Sequence, residues 1–436
     1  MGPGVGLQPR QHPNRSTSAY QPNRKYATEE WMSPKKKVAA LISEYRPRSH
    51  ADVIVGRLLQ GYYLDGQHHE PGVEIVSMYT DQVADMDMSR QLAAQHGFAL
   101  CASIRQALTL KADQSRGPRN LAVDGVLLIC EHGAYPYNSL GQKLYPRHRF
   151  FKEMVDVFRD TGKHIPVFFD KHYSCDWHQA KWMYDQARQL GFPLMAGSVI
   201  PLGRHPDLRW PKDRPIDKAI GIWEADFAGN KDSYGFHAIE LLQSIVEQRP
   251  GAETGIAAVQ CLEGEAVWAW TDARDWARQL LAAAGLGEAR GQIKNPMVFS
   301  LIYNDGLETA VYRLNGLGRD GYIAALVPNQ KEPVVLGNQA DTPSHVYLPQ
   351  ELADRYPIAN HFSATAGLFE EMLDSGQEPH PAERTLLTSG ALAALFESSY
   401  EADPMYGETY EHGRFLEEGK YLTTPYLAIH YDAPSN

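Results

Sequence analysis

The chain lacks the sequence features that mark several classes of protein. Its four cysteines are far apart and form no CxxC pair, which argues against a disulfide scaffold or a structural zinc site. No apolar run approaches the ~18 residues of a membrane span, and the N-terminal stretch lacks the apolar core of a signal peptide. The formal net charge is -11 without a recurrent basic stripe, so a phosphate backbone would be repelled. We therefore predict a cytoplasmic protein that binds neither nucleic acid nor membrane.

The length and the composition predict two folded domains after an N-terminal arm. The chain has 436 residues, 43% of them hydrophobic, and single cores stop growing near ~250–300 residues. Residues 1–35 are rich in Pro, Gly, Asn, Ser and Arg. They contain too few apolar side chains to offset the entropy of ordering, which predicts a flexible arm.

Residues 36–205 alternate short β-branched runs with amphipathic helical stretches. The strand candidates are KVAALI, VEIVSMY, VDGVLLIC, HIPVFFD and PLMAGSVI. Between them, stretches such as RFFKEMVDVFRDTG repeat apolar residues at helical spacing and close on a glycine. This rhythm predicts an α/β domain with a doubly wound parallel sheet of the Rossmann type. Ligands of such sheets bind outside the carboxyl ends of the strands.

Residues 206–436 have a different pattern. NPMVFSLIYNDGLETAVYRLNG predicts two long strands joined by an Asn-Asp-Gly turn, and GYIAALV and VVLGN add further strands. HFSATAGLFEEMLDSG and PAERTLLTSGALAALFESSYE predict late helices within residues 361–400. We expect an α+β domain with a mostly antiparallel open sheet, with the late helices packing back.

The turn after the first strand, SEYRPRSHADV, has no glycine before Gly56. A dinucleotide pyrophosphate is usually held on N–H groups of a tight glycine turn at a helix N-terminus. Here Arg46 and Arg48 could pair with phosphate instead, unless these arginines face solvent or another subunit. Asp81, just past the second strand, lies where such folds present an acid to the adenine ribose. Arg46, Arg48 and Asp81 are therefore predicted to bind cofactor.

Several segments together resemble one known family. DTGKHIPVFFDKHYSCDWHQAKWMYDQARQLGFPLMAG resembles the segment in which a Gly-Lys-His turn enters a strand ending in Glu-Lys-Pro, and DSYGFHAIELLQSIVEQRPG resembles a Gly-x-His-x-x-Asp helix. PAERTLLTSGALAALFESSYE and TTPYLAIHY resemble the C-terminal helix and strand. On these segments the chain is identified as a divergent member of the glucose-fructose oxidoreductase and inositol dehydrogenase family (Gfo/Idh/MocA). The resemblance implies NAD or NADP as cofactor and a homo-oligomer, a dimer or a tetramer.

The resemblance also implies roles for single residues. Lys171 matches the lysine of the Glu-Lys-Pro motif, which hydrogen-bonds the reacting hydroxyl, and His237 matches the histidine that acts as general acid and base. An imidazole with a pKa near neutrality is suited to take the hydroxyl proton. The motifs are changed, since Asp170 and His172 flank the lysine. The predicted substrate residues are Asp170, His172, Asp232, Tyr234 and Glu240, and the further predicted cofactor residues are Glu131, His132 and Asn138.

Two functions stay open from the sequence. The first is an NAD(P)-dependent oxidoreductase acting on a sugar, cyclitol or related polyol by hydride transfer, with Lys171 and His237 as the catalytic pair. The alternative is a non-redox or redox-neutral carbohydrate enzyme, a metal-assisted lyase, an isomerase or a glycosidase-like enzyme, with a degenerate dinucleotide site. A divalent metal would take carboxylates and imidazoles that converge at the strand ends. These candidate ligands are Glu131, His132, Asp170 and His172, which could instead grip sugar hydroxyls without metal.

Overall fold

The structure of this chain is a computed structural model. It describes residues 34–64, 67–111, 120–201, 209–223, 231–315, 321–337, 362–401 and 421–434. The predicted N-terminal arm lies outside the described residues except for its last two positions. No helix in the described ranges is both long and apolar enough to cross a membrane.

The apolar runs of the first half form one parallel sheet. Its strands are β1 (Lys36–Glu44), β4 (Val73–Gln82), β5 (Ala99–Cys101), β6 (Gly125–Ile129), β7 (Val167–Asp170) and β8 (Leu194–Gly197). They pair in the order β5-β4-β1-β6-β7-β8, and every pair is parallel. A separate small hairpin contains β2 (Tyr62–Leu64) and β3 (Gln67–His69). The predicted doubly wound parallel sheet is thus confirmed.

Helices cover both faces of this sheet. They are α1 (His50–Gln60), α2 (Ser89–His96), α3 (Ile104–Thr109), α4 (Arg147–Thr161) and α5 (Trp177–Leu190). Along β1, Ala40 and Ile42 lie in the core shared with α1, whereas Ala39 and Leu41 lie in the core shared with α3 and α4. Because side chains alternate between faces and both faces are buried, the strand is continuously apolar.

The order of the strands places a crevice at the carboxyl ends of β1 and β6. Within the sheet, β4 lies next to β1 on one side, and β6, which follows later in the chain, lies next to β1 on the other side. In open parallel sheets, ligands bind where the strand order reverses in this way. The loops after β1, β6 and β7 therefore border the expected site.

The second half forms the predicted, mostly antiparallel sheet. Its strands are β9 (Lys218–Trp223), β10 (Ile256–Glu263), β11 (Lys294–Tyr303), β12 (Glu308–Asn315), β13 (Tyr322–Leu326), β14 (Val334–Leu336) and β15 (Leu422–Thr423). They pair in the order β14-β13-β9-β12-β11-β10-β15, and β9 runs parallel to β12. The β11–β12 hairpin is confirmed, and Gly306 supplies the positive φ of its turn.

The remaining helices pack on both sheets. They are α6 (Lys231–Val246), α7 (Glu265–Asp272), α8 (Asp275–Ala283), α9 (Phe362–Ser375) and α10 (Ala382–Glu401), with 3-10 turns at Arg290–Gln292 and Pro425–Leu427. Helices α6 and α10 cover one face of the second sheet, and α7 and α8 cover the other. Helix α9 packs on the first sheet beside α1, while α10 contacts both sheets. Helix α6 is thereby held at the carboxyl edge of the first sheet.

Candidate active site

Two neighbouring strands of the first sheet are followed by residues in the left-handed backbone region. His132 and Lys171, just after β6 and β7, both have φ of 74°. The N–H of Lys171 donates to the carbonyl of Gly197 at 3.0 Å, which ties it to the end of β8. A non-glycine residue in this region costs roughly 1–2 kcal/mol, and such strain clusters at functional sites. The carboxyl edge of the sheet is therefore the candidate site.

The two residues predicted to form the catalytic pair contact each other. The Nζ of Lys171, at the end of β7, contacts the Nε2 of His237 on α6, and both side chains are buried. The His237 ring lies 6.1 Å from the Trp223 ring and 6.2 Å from that of Tyr234. Burial lowers the pKa of Lys171, although the nearby Glu131 opposes this shift. A lysine with a lowered pKa beside an imidazole can exchange a proton with a bound hydroxyl.

A buried ion pair lies next to this pair of residues. Glu131 Oε2 accepts from Arg147 Nη2 at 2.7 Å, and Glu131 Oε1 accepts from Ser233 Oγ at 2.8 Å. Burial would raise the pKa of Glu131, but the positive charges of Lys171 and Arg147 outweigh it and hold that pKa well below its usual range. Burial and Arg147 also lower the pKa of His172 well below its usual range. The neutral His172 ring can then accept through Nε2 from Arg147 Nη1, 3.0 Å away.

Two buried acids on α6 complete the polar lining. Asp232 lies 3.5 Å from His172 Nε2, and burial, with repulsion from Glu131, raises the pKa of Asp232 to about 6. Both carboxylate oxygens of Glu240 accept from the N–H of Ser198 at 3.1 Å, and the Ser198 hydroxyl donates to Oε2. Burial raises the pKa of Glu240 to about 7. Both acids therefore change charge near neutral pH.

Side chains that follow β1 contact the ends of β6 and β7. His50 Nδ1 lies 2.7 Å from Asp170 Oδ2. Arg46 Nη2 lies 3.2 Å from His132 Nδ1, while Arg46 Nε donates to Glu44 Oε1 at 2.8 Å. Burial lowers the pKa of His132 to about 4, so its ring is neutral at pH 7. These contacts cross the carboxyl ends of β1, β6 and β7.

The turn after β1 does not form a dinucleotide cradle. Tyr45, where a glycine turn would be expected, is fully buried in the core. Ser49 caps α1 by accepting from the N–H of Asp52, which uses one of the donors that a phosphate would need. The contacts made by Arg46 and His50 span the space above the helix N-terminus. The residues present therefore do not fit NAD or NADP held in the usual way.

Three predicted cofactor residues do not join the Lys171 and His237 cluster by any recorded contact. Arg48 is exposed, with φ of 63°. Asn138 closes a local turn with Gln142, donating through Nδ2 at 3.0 Å. The Asp81 carboxylate is occupied at 2.6–2.7 Å by Tyr79, Tyr135 and Arg149.

The geometry does not support the predicted metal alternative. Within the described ranges, no group of three or more His, Cys, Asp or Glu side chains is arranged to hold a metal ion. The four proposed ligands, Glu131, His132, Asp170 and His172, have the partners Arg147, Arg46 and His50. A hydrogen-bonded polar site, the other possibility for these side chains, agrees with these contacts.

Arg147 and His50 belong to this cluster but are not among the predicted site residues. Arg147 lies in a helix start, PRHRF, whose first turn carries basic and no acidic residues. This is an unusual choice at the positive end of a helix, and it was a usable signal. His50 has no such signal, because its partner Asp170 is 120 positions away in the sequence.

Comparison with known proteins gives similarity in structure rather than in sequence. No protein-family profile and no curated protein matches this chain. The apo scyllo-inositol dehydrogenase from Lactobacillus casei is 13% identical with a TM-score of 0.52, over 84% of this chain and 97% of that chain. GenD2 from gentamicin A biosynthesis, solved in complex with NAD, is 12% identical with a TM-score of 0.53, over 90% of this chain and 97% of that chain. The chain thus has the fold of the glucose-fructose oxidoreductase and inositol dehydrogenase (Gfo/Idh/MocA) proteins.

Proposed function

We propose that this chain is an oxidoreductase-like enzyme acting on a hydroxyl-bearing carbon of a sugar, cyclitol or related polyol. The observation that carries the proposal is the contact between Lys171 Nζ and His237 Nε2 at the carboxyl edge of the parallel sheet. Burying a lysine against a histidine removes both groups from water at a cost in free energy. The fold alone does not need this pair, so a role in chemistry explains it better.

The pair has one task, which is to move the hydroxyl proton. Oxidation of C–OH to C=O requires that the O–H proton leave with the C–H hydride, and an imidazole or a neutral amine can take this proton. Because burial lowers the pKa of Lys171, the proton can be shared between Lys171 and His237. Glu131, held by Arg147, lies close to Lys171, and its negative charge favours the protonated amine.

Asp232 is the best candidate for binding a substrate hydroxyl. Its carboxylate is buried and lies 3.5 Å from the neutral His172 ring. An acid whose pKa is raised to about 6 is ionised at pH 7 and can accept a hydrogen bond from a polyol. Tyr234, two positions along α6, adds an aromatic ring beside His237.

NAD or NADP is the cofactor of the first candidate function, an NAD(P)-dependent oxidoreductase. GenD2, which shares the fold, was solved with NAD. Since the turn after β1 does not offer a glycine cradle, phosphate would have to be bound by other groups. Arg48, an exposed guanidinium just before α1, is the best placed of the two predicted arginines, because Arg46 already contacts Glu44 and His132.

A second candidate, a redox-neutral carbohydrate enzyme such as an isomerase or a lyase, is favoured by one specific observation. The contacts between His50 and Asp170 and between Arg46 and His132 cross the carboxyl ends of β1, β6 and β7, the edge at which such sheets bind their ligands. In this function, Lys171 and His237 would remove and return a proton on the substrate itself.

An assay with and without nucleotide separates the two candidates. Purified protein is incubated with myo-inositol, scyllo-inositol or glucose, with NAD⁺, NADP⁺ or no nucleotide, and followed by absorbance of reduced nicotinamide and by NMR of the sugar. Nucleotide-dependent turnover supports the oxidoreductase, whereas conversion without nucleotide supports the redox-neutral enzyme.

The catalytic pair is tested in the same assay. Lys171→Met and His237→Gln should each lower kcat by about 10²–10⁴-fold, the usual contribution of general acid and base catalysis. Lys152→Met, on the exposed side of α4, is the control and should keep full activity. Full activity in either pair variant would exclude the pair under both functions.

A further inference from the structure

A cavity lies at the start of α4. Its volume is about 280 Å³, and it is lined by residues 143–149 together with Ser174, Cys175 and Gln179. We call this cavity the α4 pocket. It is slightly smaller than the ~300–1,000 Å³ of sites for drug-sized ligands, so it suits one substituent of a ligand better than a whole sugar.

The lining of the α4 pocket is basic. Lys143, Arg147 and Arg149 all line it, and no acidic residue lines it within the described part of the chain. Lys143 is half-buried over the rings of Tyr137 and Tyr145, at 5.7 Å and 5.4 Å, and makes no ion pair with a described residue. Its ammonium group is therefore available to a ligand.

Arg147 gives a second and independent indication of a ligand. Its side chain is 3% exposed, and its Nε has no hydrogen-bond partner among the described residues although Nη1 and Nη2 are paired. A buried guanidinium donor without an acceptor is costly. Arg147 also lines the α4 pocket, so an anion bound there is a candidate acceptor for this donor.

The N-terminus of α4 is a third feature that favours binding of an anion in the α4 pocket. Pro146 is the N-cap and makes no side-chain capping bond, and the first turn contains no acidic residue. The N–H of Arg147 donates to the carbonyl of Tyr145 at 2.9 Å and that of Phe150 to the carbonyl of Pro146 at 3.0 Å, so among the first turn's donors the N–H groups of His148 and Arg149 are left for another acceptor. The positive end of a helix of 15 residues also attracts an anion.

We propose that the α4 pocket binds an anionic group of the substrate, a carboxylate or a phosphate. The substrate would then be an acidic polyol, either a sugar acid or a sugar phosphate, which deepens the proposed function and rests on it. Arg147 connects the two regions, because its Nη1 lies 3.0 Å from His172, the residue next to Lys171. An anion held in the α4 pocket would orient the polyol chain toward Lys171 and His237.

Binding measured by calorimetry tests the α4 pocket separately from catalysis. Gluconate, glucose 6-phosphate and neutral glucose are titrated into wild-type protein at low salt. At least one of the two anions should bind ~10-fold or more tightly than glucose, because a hydrogen bond to a charged group contributes at least that factor. Whichever anion binds better identifies a carboxylate or a phosphate site. Inorganic phosphate should compete with it.

Variants locate the site. Lys143→Gln and Lys143→Met should weaken anion binding ~10-fold or more while glucose binding is unchanged, and Lys143→Arg should restore it. Lys152→Gln removes the same charge from the outer side of α4 and serves as the matched control. Equal effects of Lys143→Gln and Lys152→Gln, or glucose binding as tight as that of both anions, would reject the α4 pocket.

The two proposals fail separately. His237→Gln should lose turnover but still bind the anion, since His237 does not line the α4 pocket. If His237→Gln keeps turnover while the anion preference persists, the proposed function is wrong and the α4 pocket stands. If turnover depends on His237 but no anion preference exists, only the α4 pocket is wrong.

Discussion

Glu240 is the residue whose ionisation matters most to the stability of the site. It packs against Gly197, whose φ is 116°. A Cβ added at Gly197 would overlap Glu240 Oε1 and would lie 2.8 Å from Thr385 Oγ1. The carboxyl group is fully enclosed, and its hydrogen bonds come from Ser198. Burial raises the pKa of Glu240 to about 7, because it outweighs the Ser198 hydrogen bonds and the nearby charges of Arg384 and Lys171.

Protein stability should decrease as the pH rises toward neutrality because of this residue. The folded state holds the Glu240 proton more tightly than the unfolded state does, so the stabilisation is complete below pH 4.5 and is lost as pH rises to about 7. A shift of this size corresponds to about 3 kcal/mol. Asp232, with its pKa raised to about 6, acts in the same direction.

Urea unfolding of wild type and Glu240→Gln at pH 5, 6, 7 and 8 measures this effect. Glutamine keeps an acceptor for Ser198 but does not ionise. Between pH 5 and pH 8, the free energy of unfolding of the variant should therefore fall by about 3 kcal/mol less than that of wild type. His132, whose pKa is lowered to about 4, makes the protein less stable as the pH falls below 6.5. This effect is present in both wild type and variant, so it does not change the difference between them. Parallel pH profiles would show that Glu240 does not carry this burial penalty.

Residues of the candidate site differ in how far the sequence could predict them. Lys171 and His237 were predictable because each stands in a recognisable motif, and the structure brings them together. His50 was not, since its contact with Asp170 joins residues 120 positions apart and leaves no local pattern. For Arg147 the one signal was the basic first turn of its helix. Asp81 lies at the predicted strand end, but Arg149 and two tyrosines occupy its carboxylate.

At the scale of elements, burial on both faces made the parallel strands predictable. Long apolar runs such as β1 and β6 have cores on either side and therefore a continuous signal. Strands of three residues such as β5 are too short to show a period. Helices α7 and α8 have no counterpart among the predicted elements, because a short amphipathic segment does not reveal which face of a sheet it covers.

Two glycines in the elements around the site should respond oppositely to alanine. Gly56 lies inside α1, where an added Cβ would meet Asp52 Oδ1 at an ordinary 3.7 Å. Gly56→Ala should stabilise the protein by about 0.5–1 kcal/mol, because glycine is unfavourable in a helix. At Gly125 on β6, a Cβ would overlap Leu373 of α9 and lie 3.4 Å from Phe369.

Gly125→Ala should therefore destabilise the protein by about 1–3 kcal/mol, the usual cost of overpacking a core. Thermal melting followed by circular dichroism measures both variants, and Gly56→Ala is the matched control for a glycine-to-alanine change. A Gly125→Ala variant as stable as Gly56→Ala would mean that α9 does not pack tightly on β6. The double variant Gly125→Ala with Leu373→Ala should recover part of the loss.

At the scale of the whole molecule, the second sheet bears on the predicted homo-oligomer. The family resemblance implies that two subunits pair through this sheet. However, α7 and α8 cover the sheet face opposite α6, and Trp268 and Trp270 are buried between these helices and the sheet. A dimer or tetramer stays a prediction. Sedimentation of the purified protein measures the subunit number.

Helix α10 joins the parts of the fold, because it packs against β8 of the first sheet and β10 of the second. Its Arg384 is 2% exposed and pairs with Glu247, just after α6, which also accepts from the Tyr431 hydroxyl at 2.8 Å. Removal of one partner from such a pair leaves a buried charge and costs about 3–5 kcal/mol. The exposed pair of Arg278 and Asp275 should be worth only ~0.2–1 kcal/mol.

Arg384→Met should consequently lower the stability of both sheets together, whereas Arg278→Met should have little effect. Denaturation followed by tryptophan fluorescence and by far-ultraviolet circular dichroism tests this, because the two signals report tertiary packing and secondary structure. The two transitions should coincide in wild type and shift together in Arg384→Met, as expected if α10 couples the sheets. Separate transitions in wild type would show that the sheets unfold independently and that the buried pair stabilises only one of them.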